Sequence, residues 1–414
     1  MNILIVGNGF DLSHYLPTKY EHFIKAMDAL RRWDIQKGDI DFNNLFQELC
    51  TEKAWFFDQT KFLYRTEKII IRIEEVEKIK AKLNTNIWYK YFLNHITKID
   101  TWIDFESEFS KALDLVARFS QDAENIYQEY EEIRPRILGI MQSDRAKYLK
   151  YGDKTIQKLF LLGIFEDKNS QMRIANKYYR NNKENLDIDS NSIIENLEKN
   201  LNEFINIFKW YLKEIIEKLE LTNVANKEIF EFNLEDLSLI SFNYTSTFSR
   251  FYNSLPKVEY VHGEVNKDLV LGIPDIKNEF LKKFKNYSFT KYHQKLLKNT
   301  DYLFLDENPK IKEMFKSKAV GKCNINIYIW GHSLADSDES YIHEIFSLNR
   351  QSNIECYVTV YFHKNDAPKL LNNLLDILGK DIVEKWMKNG WLRFKPNPEI
   401  QFQVNSQQEL DEVS

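Results

Sequence analysis

The chain has 414 residues, a net charge of −5 at pH 7 and a hydrophobic content of 43%, which suit a packed interior under a charged surface. Only 12 glycines and 8 prolines are present, so collagen-like and low-complexity chains are excluded. The acidic balance argues against a general nucleic-acid binder, and three widely spaced cysteines favour neither a disulfide framework nor a cysteine zinc site.

The N-terminus predicts a buried strand followed by a tight turn. Residues 3–6 form a continuous aliphatic run, typical of a strand buried on both faces of a parallel sheet, and Gly7-Asn8-Gly9 follows directly. Glycines there let a phosphate approach the backbone beside the first amides of the next helix. A full dinucleotide fingerprint needs a third glycine where Leu12 stands. A nucleotide site and a simple strand-to-helix turn therefore remain equal alternatives.

The long middle of the chain predicts helices. Apolar residues recur at helical spacing over residues 12–27, 62–83 and 193–221, whereas the asparagine-rich residues 176–192 predict a surface loop. The motif Trp102-Ile103-Asp104-Phe105-Glu106 interrupts this pattern with two carboxylates. They either form a capping or solvated pair, or reach a cleft for acid/base or metal chemistry.

The last third of the chain predicts strands that alternate with helices. The strand-like runs are residues 237–242, 258–261, 269–273, 325–330 and 354–362, and the helix-like segments include 339–348 and 366–378. This alternation is typical of an α/β parallel sheet. The first strand is separated from its partners by more than 200 residues, so we expect one discontinuous domain with a large helical insertion.

The predicted division places residues 1–20 and 236–414 in a Rossmann-like nucleotide-binding domain and residues 21–235 in the helical insertion. The polar tail after Val404 is expected to be frayed. No secretory signal and no membrane-spanning run are predicted, so a cytoplasmic location is expected.

Polar residues follow three of the predicted strands, where open α/β sheets bind their ligands. Asn243 would orient a ribose hydroxyl or a water, or form an Asx turn; His262, before Gly263, would be a general base or a structural histidine. The third group is Gly331-His332-Ser333-Leu334, after which Asp336 and Asp338 would cap the helix that begins near residue 339.

Taken together, the motifs resemble the AbiH family of bacterial abortive-infection proteins, which act against phage. The motifs that carry the resemblance are Gly7-Asn8-Gly9-Phe10-Asp11-Leu12, Leu16-Pro17-Thr18-Lys19-Tyr20, Trp102-x-Asp104-x-Glu106, Phe242-Asn243-Tyr244-Thr245, His262-Gly263 and Gly331-His332-Ser333-Leu334. Their order is also similar to that of the sirtuin NAD-binding domain and of sirtuin-like NAD hydrolases in phage defence.

The resemblance implies a sirtuin-like parallel sheet that binds NAD as its substrate. It implies that Asn243 and His262 are catalytic, with His262 as the base. The NAD-binding residues that it implies are Gly7, Asn8, Gly9, Phe10, Asp11, Gly263, Gly331 and Ser333. Deacetylating sirtuins hold zinc with four cysteines, which this chain lacks, so no zinc and no deacylation are expected.

The leading hypothesis is an anti-phage effector that hydrolyses the nicotinamide–ribose bond of NAD. Two alternatives remain open: a metal-dependent nuclease in which Asp11, Asp104, Glu106 and Asp336 gather Mg²⁺, and a non-catalytic nucleotide sensor that acts through a partner. The expected partners are a small-molecule nucleotide, a phage-encoded trigger and further copies of the chain. Nucleic acid is not favoured, and no membrane is expected.

Overall fold

The computed structural model describes residues 1–99, 101–133, 151–168, 171–179, 188–225, 229–234, 237–252, 258–298, 300, 304–305, 309–316, 323–350 and 354–404. The strands are β1 (Asn2–Val6), β2 (Ile40–Asp41), β3 (Ile70–Ile71), β4 (Phe165–Lys168), β5 (Gln171–Ile174), β6 (Asn223–Ala225), β7 (Leu237–Ser241), β8 (Val258–Tyr260), β9 (Cys323–Trp330), β10 (Ile354–Phe362), β11 (Leu392–Pro396) and β12 (Phe402–Val404).

The α-helices are α1 (Asn8–Ser13), α2 (Tyr20–Arg32), α3 (Phe42–Leu45), α4 (Gln47–Glu52), α5 (Ala54–Leu63), α6 (Ile73–Thr85), α7 (Ile87–Asn94), α8 (Trp102–Ile133), α9 (Asp153–Leu161), α10 (Ser190–Tyr211), α11 (Thr247–Tyr252), α12 (Glu279–Lys283), α13 (Lys291–Lys298), α14 (Pro309–Lys316), α15 (Glu339–Ser347), α16 (Ala367–Leu378) and α17 (Lys380–Lys388). Short 3₁₀ turns occupy Ile35–Lys37, Thr66–Lys68, Ile96–Lys98, Asn176–Tyr178, Asp336–Asp338 and Leu348–Arg350, and a π turn occupies Leu212–Ile216.

A six-stranded parallel sheet in the order β11-β10-β9-β1-β7-β8 forms the centre of the fold. β1 lies between β7 and β9, with Val6 level with Ser241 on one side and with Trp330 on the other. This confirms the predicted Rossmann-like α/β architecture, in which aliphatic strands are buried on both faces. The chain between β1 and β7 is mostly helical, as the sequence predicts.

The predicted strand at residues 269–273 is wrong. This apolar run is buried, but its backbone groups bond to surrounding loops and side chains instead of a neighbouring strand. The Val270 amide donates to the His262 carbonyl, and Leu271 exchanges two hydrogen bonds with the side chain of Gln294. The run is apolar because it is buried, and a short apolar run resembles a strand in composition even when no strand forms.

Two predicted helices are broken by tertiary contacts. The helix predicted over residues 12–27 is divided after α1, where Tyr15 adopts a φ of 56°, and resumes as α2. The helix predicted over 62–83 is interrupted between α5, which ends at Leu63, and α6, which confirms its second half from Ile73. The interruption occurs where the Arg65 amide donates to the Glu220 carbonyl and β3 pairs with β2. The helix predicted over 193–221 is α10, which continues into a π turn.

The predicted surface loop at 176–192 is only partly described. Asn176–Tyr178 is a 3₁₀ turn and α10 begins at Ser190, while residues 180–187 lie outside the described residues. The tail after Val404, for which the sequence predicts fraying, lies outside them as well.

The two faces of the sheet pack against different helices. Leu4 and Val6 point to one face, in a buried cluster that continues into α2 and α10 of the insertion. Ile3 and Ile5 point to the other, in a cluster with α15, α16 and α17. The buried residues of the insertion and of the first face form one cluster, and residue 236 lies outside the described chain, so the predicted domain boundaries stay a prediction. None of the helices in the described chain is long and apolar enough to cross a bilayer.

Candidate functional site

Two groups of buried polar side chains lie beyond the carboxyl ends of β1, β7, β8 and β9, where parallel α/β sheets bind ligands. The Asp11 cluster consists of Asp11, Asn243, Thr245 and Thr247. The histidine cluster consists of Glu106, His262, Lys291, Lys295, His332, Asp338 and Tyr341. The insertion contributes Glu106 from α8, and α13 contributes the two lysines.

The glycines of the first turn hold it against the loop after β9. The amides of Gly7 and Gly9 donate to the carbonyls of Trp330 and Gly331 at 3.0 and 2.9 Å, and the Phe10 amide donates to the Gly7 carbonyl at 2.8 Å. A Cβ on Gly7 would stand 2.6 Å from the His332 Cα. Glycine is thus required here by backbone packing, and a contact between this turn and a diphosphate stays a prediction.

The Asp11 cluster joins the first turn to the end of β7. Asn243 is 5% exposed, and its Nδ2 donates to the Gly7 carbonyl at 2.9 Å and to Asp11 Oδ1 at 3.0 Å. The Thr245 hydroxyl donates to Asp11 Oδ2 at 2.7 Å. Burial raises the pKa of Asp11 to about 6, although hydrogen bonds from Thr245 and Thr247 oppose the shift. A cavity of about 10 Å³, room for roughly one water, adjoins these side chains.

The histidine cluster is centred on the carboxylate of Asp338. His262 Nε2 lies 3.5 Å from Asp338 Oδ1, and His332 Nε2 lies 3.4 Å from Oδ2. His332 Nδ1 accepts a hydrogen bond from the Leu334 amide at 3.0 Å, so the proton of a neutral His332 ring resides on Nε2, facing Asp338. The ring of Phe242 packs edge-on against both imidazoles, with centroids 5.4 Å from His262 and 4.3 Å from His332.

The charged side chains around Asp338 come from elements distant in sequence. Lys291 Nζ lies 2.6 Å from Glu106 Oε1 and 3.7 Å from Asp338 Oδ1. Lys295, one helical turn further along α13, donates to the hydroxyl of Tyr341. Both lysines are buried, at 5% and 4% exposure. An ammonium group in such surroundings requires compensating charge or hydrogen bonds.

Burial and charge shift the pKa values of the cluster in different directions. Burial, reinforced by the two lysines, lowers the pKa of His262 to about 3, so the ring is neutral at neutral pH. Burial also lowers the pKa of Lys295 to about 7, with repulsion from Lys291 adding to the effect. Burial alone would raise the pKa of Asp338, but Lys291 and the two histidines hold it well below its usual value. Burial raises the pKa of Glu106 against the attraction of Lys291.

The two carboxylates of the Trp102 motif have different partners. Asp104 Oδ2 accepts hydrogen bonds from the amide and hydroxyl of Thr101, each at 2.8 Å, which is a capping box at the start of α8. The motif therefore begins a helix and does not interrupt one. Glu106 instead reaches Lys291 in the histidine cluster. The sequence left capping and a place in the site as alternatives for the pair. In the structure Asp104 caps the helix, and Glu106 lies in the site.

The capping role expected of Asp338 is wrong, because its carboxylate faces the histidines and makes no capping hydrogen bond to α15. Asp336 lies exposed in the preceding 3₁₀ turn. The four acidic residues of the nuclease alternative thus have separate surroundings. Within the described parts of the chain, no group of three or more His, Cys, Asp or Glu side chains has the placement of a metal site.

The remaining predicted binding residues support loop packing. Gly263 adopts a φ of +81°, and a Cβ there would stand 1.9 Å from the Asp268 carbonyl oxygen. The Ser333 carbonyl accepts a hydrogen bond from Asn373 at 2.9 Å. Asn8 and Phe10 belong to α1, where Phe10 is fully buried. The structure brings His262, Glu106 and Asp338 together, whereas Asn243 joins Asp11.

Sequence reasoning missed Lys291, Lys295 and Tyr341 and named His332 without assigning it a role. No motif marks these lysines, because their importance depends on which side of α13 faces inward. The spacing of Lys291 and Lys295, four residues apart, was the one available signal that they share a helical face.

The fold and the strand-end clusters define a Rossmann-like α/β protein with a large helical insertion. Residues 3–361, from β1 to within β10, match the family model described as "Bacteriophage abortive infection AbiH", and the chain belongs to that family. Family membership indicates a role in abortive infection against phage. No curated protein and no solved structure matches the chain, and the similarity to sirtuins stays a prediction.

Proposed function

We propose that this AbiH protein is an abortive-infection effector that hydrolyses the nicotinamide–ribose bond of NAD, with His262 as the general base. The observation that supports this proposal is the buried pair of His262 and Asp338 beyond the strand ends of a parallel sheet. A carboxylate that faces one imidazole nitrogen fixes the tautomer and leaves the other nitrogen free to accept a proton.

The proposed reaction uses water as the nucleophile. With the proton of His262 on Nε2 and facing Asp338, Nδ1 accepts a proton from a water that attacks C1′ of the ribose. The bond from C1′ to nicotinamide breaks, its electron pair leaves with the nicotinamide nitrogen, and the proton passes from His262 to solvent. The products are nicotinamide, ADP-ribose and one proton, and burial keeps the base neutral before each turnover.

Carboxylates near the site would stabilise the cationic sugar that develops during cleavage. Asp338 and Glu106 are the carboxylates nearest His262 in the cluster, and Lys291 lies between them. Asn243 would orient the ribose or the water through its amide oxygen, because its amide nitrogen donates to Gly7 and Asp11.

The burial of the cluster requires a conformational change before a dinucleotide can reach it. His262 is 6% exposed and Lys291 is 5% exposed. A segment over the cluster, such as α13, therefore has to move outward to admit NAD. A closed resting form suits an effector that must stay silent until a phage trigger acts, and it assigns the trigger the task of opening the site.

The test incubates the purified full chain with NAD and separates nicotinamide from ADP-ribose by chromatography, with and without a chelator. The same variants are followed for NAD loss in infected cells. His262→Ala and Asp338→Asn should each reduce turnover by about 10²–10⁴-fold, the usual range for losing a general base or its partner. The matched controls are His343→Ala and Asp336→Asn, which change exposed residues in or beside α15 and should retain wild-type turnover.

The outcomes separate the proposal from its two alternatives. NAD loss in infected cells at the wild-type rate in both His262→Ala and Asp338→Asn contradicts the proposal. Cleavage of DNA or RNA that the chelator abolishes, without NAD turnover, indicates the nuclease. Calorimetric binding of a nucleotide, with no turnover by the purified chain and no NAD loss in infected cells, indicates the sensor.

A further inference from the structure

We propose that Lys291 and Lys295 form a binding site for a phosphate-bearing anion, placed to receive the diphosphate of the nucleotide. The anion site is argued from the described side chains alone, and only the identity of the nucleotide rests on the proposed function. Lysine is a common ligand of phosphate groups because its ammonium acts as a compact charge with three donors.

Helix α13 presents its charged side to the interior of the protein. Lys291, Gln294 and Lys295 are buried, whereas Tyr292 and Leu297 are 65% and 74% exposed. An amphipathic helix ordinarily buries its apolar face and exposes its lysines. Two ammonium groups turned inward need an interaction that compensates their desolvation, since lysine is rarely fully buried without a partner.

Lys291 has such a partner, whereas the partner of Lys295 is neutral. Lys291 pairs with Glu106 at 2.6 Å and lies 3.7 Å from Asp338. Lys295 donates to the phenol of Tyr341, and its Nζ stands 4.6 Å from the centre of that ring. The charge of Lys295 is therefore the one that an anion would compensate.

Other polar atoms of the cluster are also buried without a hydrogen bond. They are His262 Nε2, His332 Nε2, Asp338 Oδ1 and Glu106 Oε2. His262, His332 and Asp338 are each more than nine-tenths buried. The two imidazole nitrogens face Asp338 at 3.5 and 3.4 Å, so the hydrogen bonding of the cluster is incomplete. Buried polar groups with incomplete hydrogen bonds are rare in folded proteins and mark sites where a ligand or water completes the network. Lys295, whose hydrogen-bond partner is the neutral Tyr341, would donate to phosphate oxygens, while Lys291 balances the charge of Asp338.

The first turn offers few donors for the same role. The amides of Gly7, Gly9 and Phe10 already donate to backbone carbonyls. In dinucleotide-binding folds these amides usually cradle the diphosphate. Because they are engaged here, a diphosphate needs cationic side chains as its donors, and the two buried lysines of α13 are placed beside His262 and Asp338.

Anion binding at this site should be linked to proton uptake. The pKa of Lys295 is lowered to about 7 by burial and by Lys291, against the attraction of Asp338 and Glu106. Tyr341 from α15 is its hydrogen-bond partner. An anion that contacts the amine raises its pKa again, so above pH 7 the protein takes up a proton as the anion binds.

The experiment measures binding of inorganic pyrophosphate to the full chain by titration calorimetry at pH 8, in two buffers of different ionisation enthalpy. The wild type should take up about one proton per bound anion. Lys295→Met should weaken binding by about tenfold or more and abolish the uptake. Lys295→Arg should retain binding without the uptake, because arginine stays protonated. Lys282→Met, which changes an ion-paired lysine on α12 that is 39% exposed, is the control and should match the wild type.

Equal affinity and equal proton uptake in the wild type and Lys295→Met would overturn the proposal, as would no binding to the wild type at millimolar pyrophosphate. Proton uptake that is retained in Lys295→Arg would overturn the proposal too. Because this variant preserves the charge, it keeps the test valid if Lys295→Met fails to fold. Pyrophosphate binding by the purified chain, together with NAD loss in infected cells that His262→Ala leaves at the wild-type rate, supports the anion site and refutes the NAD hydrolase. NAD turnover together with an unchanged anion affinity in Lys295→Met supports the NAD hydrolase and refutes the anion site.

Discussion

Replacement of Gly331 by alanine tests whether the strand-end glycines serve backbone packing. Gly331 adopts a φ of +72°, and a Cβ there would stand 2.1 Å from the Phe10 amide nitrogen and 2.4 Å from the Gly9 carbonyl carbon. The left-handed conformation costs an alanine about 1–2 kcal/mol. Forcing two backbones apart adds about 1–3 kcal/mol, as overpacking does in cores. We therefore expect Gly331→Ala to lower the free energy of unfolding by roughly 2–5 kcal/mol.

Gly390→Ala is the control for the backbone term. Gly390 has a φ of +69°, but the nearest atom to an added Cβ is a guanidinium nitrogen of Arg393 at 3.8 Å, so its variant should lose only about 1–2 kcal/mol. Gly7→Ala supplies the complementary control, because Gly7 has a φ of −123° and meets His332 at 2.6 Å. The measurement is the free energy of unfolding from urea titration. If Gly331→Ala is no less stable than Gly390→Ala, the packing explanation is wrong.

Two further predictions concern buried and capping carboxylates. The pKa of Asp11 is raised from 3.8 to about 6, so between these pH values the folded chain holds more protons and its free energy of unfolding falls as pH rises. The fall should total about 3 kcal/mol, because each tenfold change in proton affinity is worth about 1.4 kcal/mol. Asp11→Asn should remove this fall. Equal pH slopes of the unfolding free energy in the wild type and Asp11→Asn, measured by urea titration, would refute the prediction. Asp104→Ala should lower the free energy of unfolding by about 1 kcal/mol, because the capping box at α8 is lost. The control Asp336→Ala should lower it by less than about 0.5 kcal/mol, as exposed substitutions do. Equal losses in the same titrations would contradict the capping role.

The central sheet was predictable because its strands are rich in buried aliphatic residues. β1 is buried nearly throughout, whereas β9 and β10 alternate buried apolar residues with more exposed ones, and both patterns are typical of strands. The helices that separate the strands favour a parallel order. Residues 269–273 have the same composition, but they obtain their hydrogen bonds from Gln294 and from loop carbonyls. Nothing local distinguishes the two cases, since the difference lies in a partner more than twenty residues away.

The candidate site was predictable where it follows strand ends. That rule identified Asn243, His262 and the loop after β9, and the role of His262 as a base stays a prediction. It could not separate Asn243 from His262 into different clusters, because the side-chain directions depend on tertiary packing. The lysines of α13 were not predicted because this helix reverses the usual amphipathic pattern. Tyr292 and Leu297 are exposed, whereas Lys295 is buried.

The position of β1 at the centre of the sheet has a consequence for synthesis on the ribosome. Asn2 contacts Asn326, which is 324 residues later. The two strands that pair with β1, β7 and β9, are therefore both available only after most of the chain has been synthesised. At about 5–20 residues per second, the interval is roughly 15 to 65 s. During it, Ile3 and Ile5 cannot pack into the finished sheet. The central sheet, and with it both strand-end clusters, therefore cannot form on a nascent chain before β9 has been synthesised.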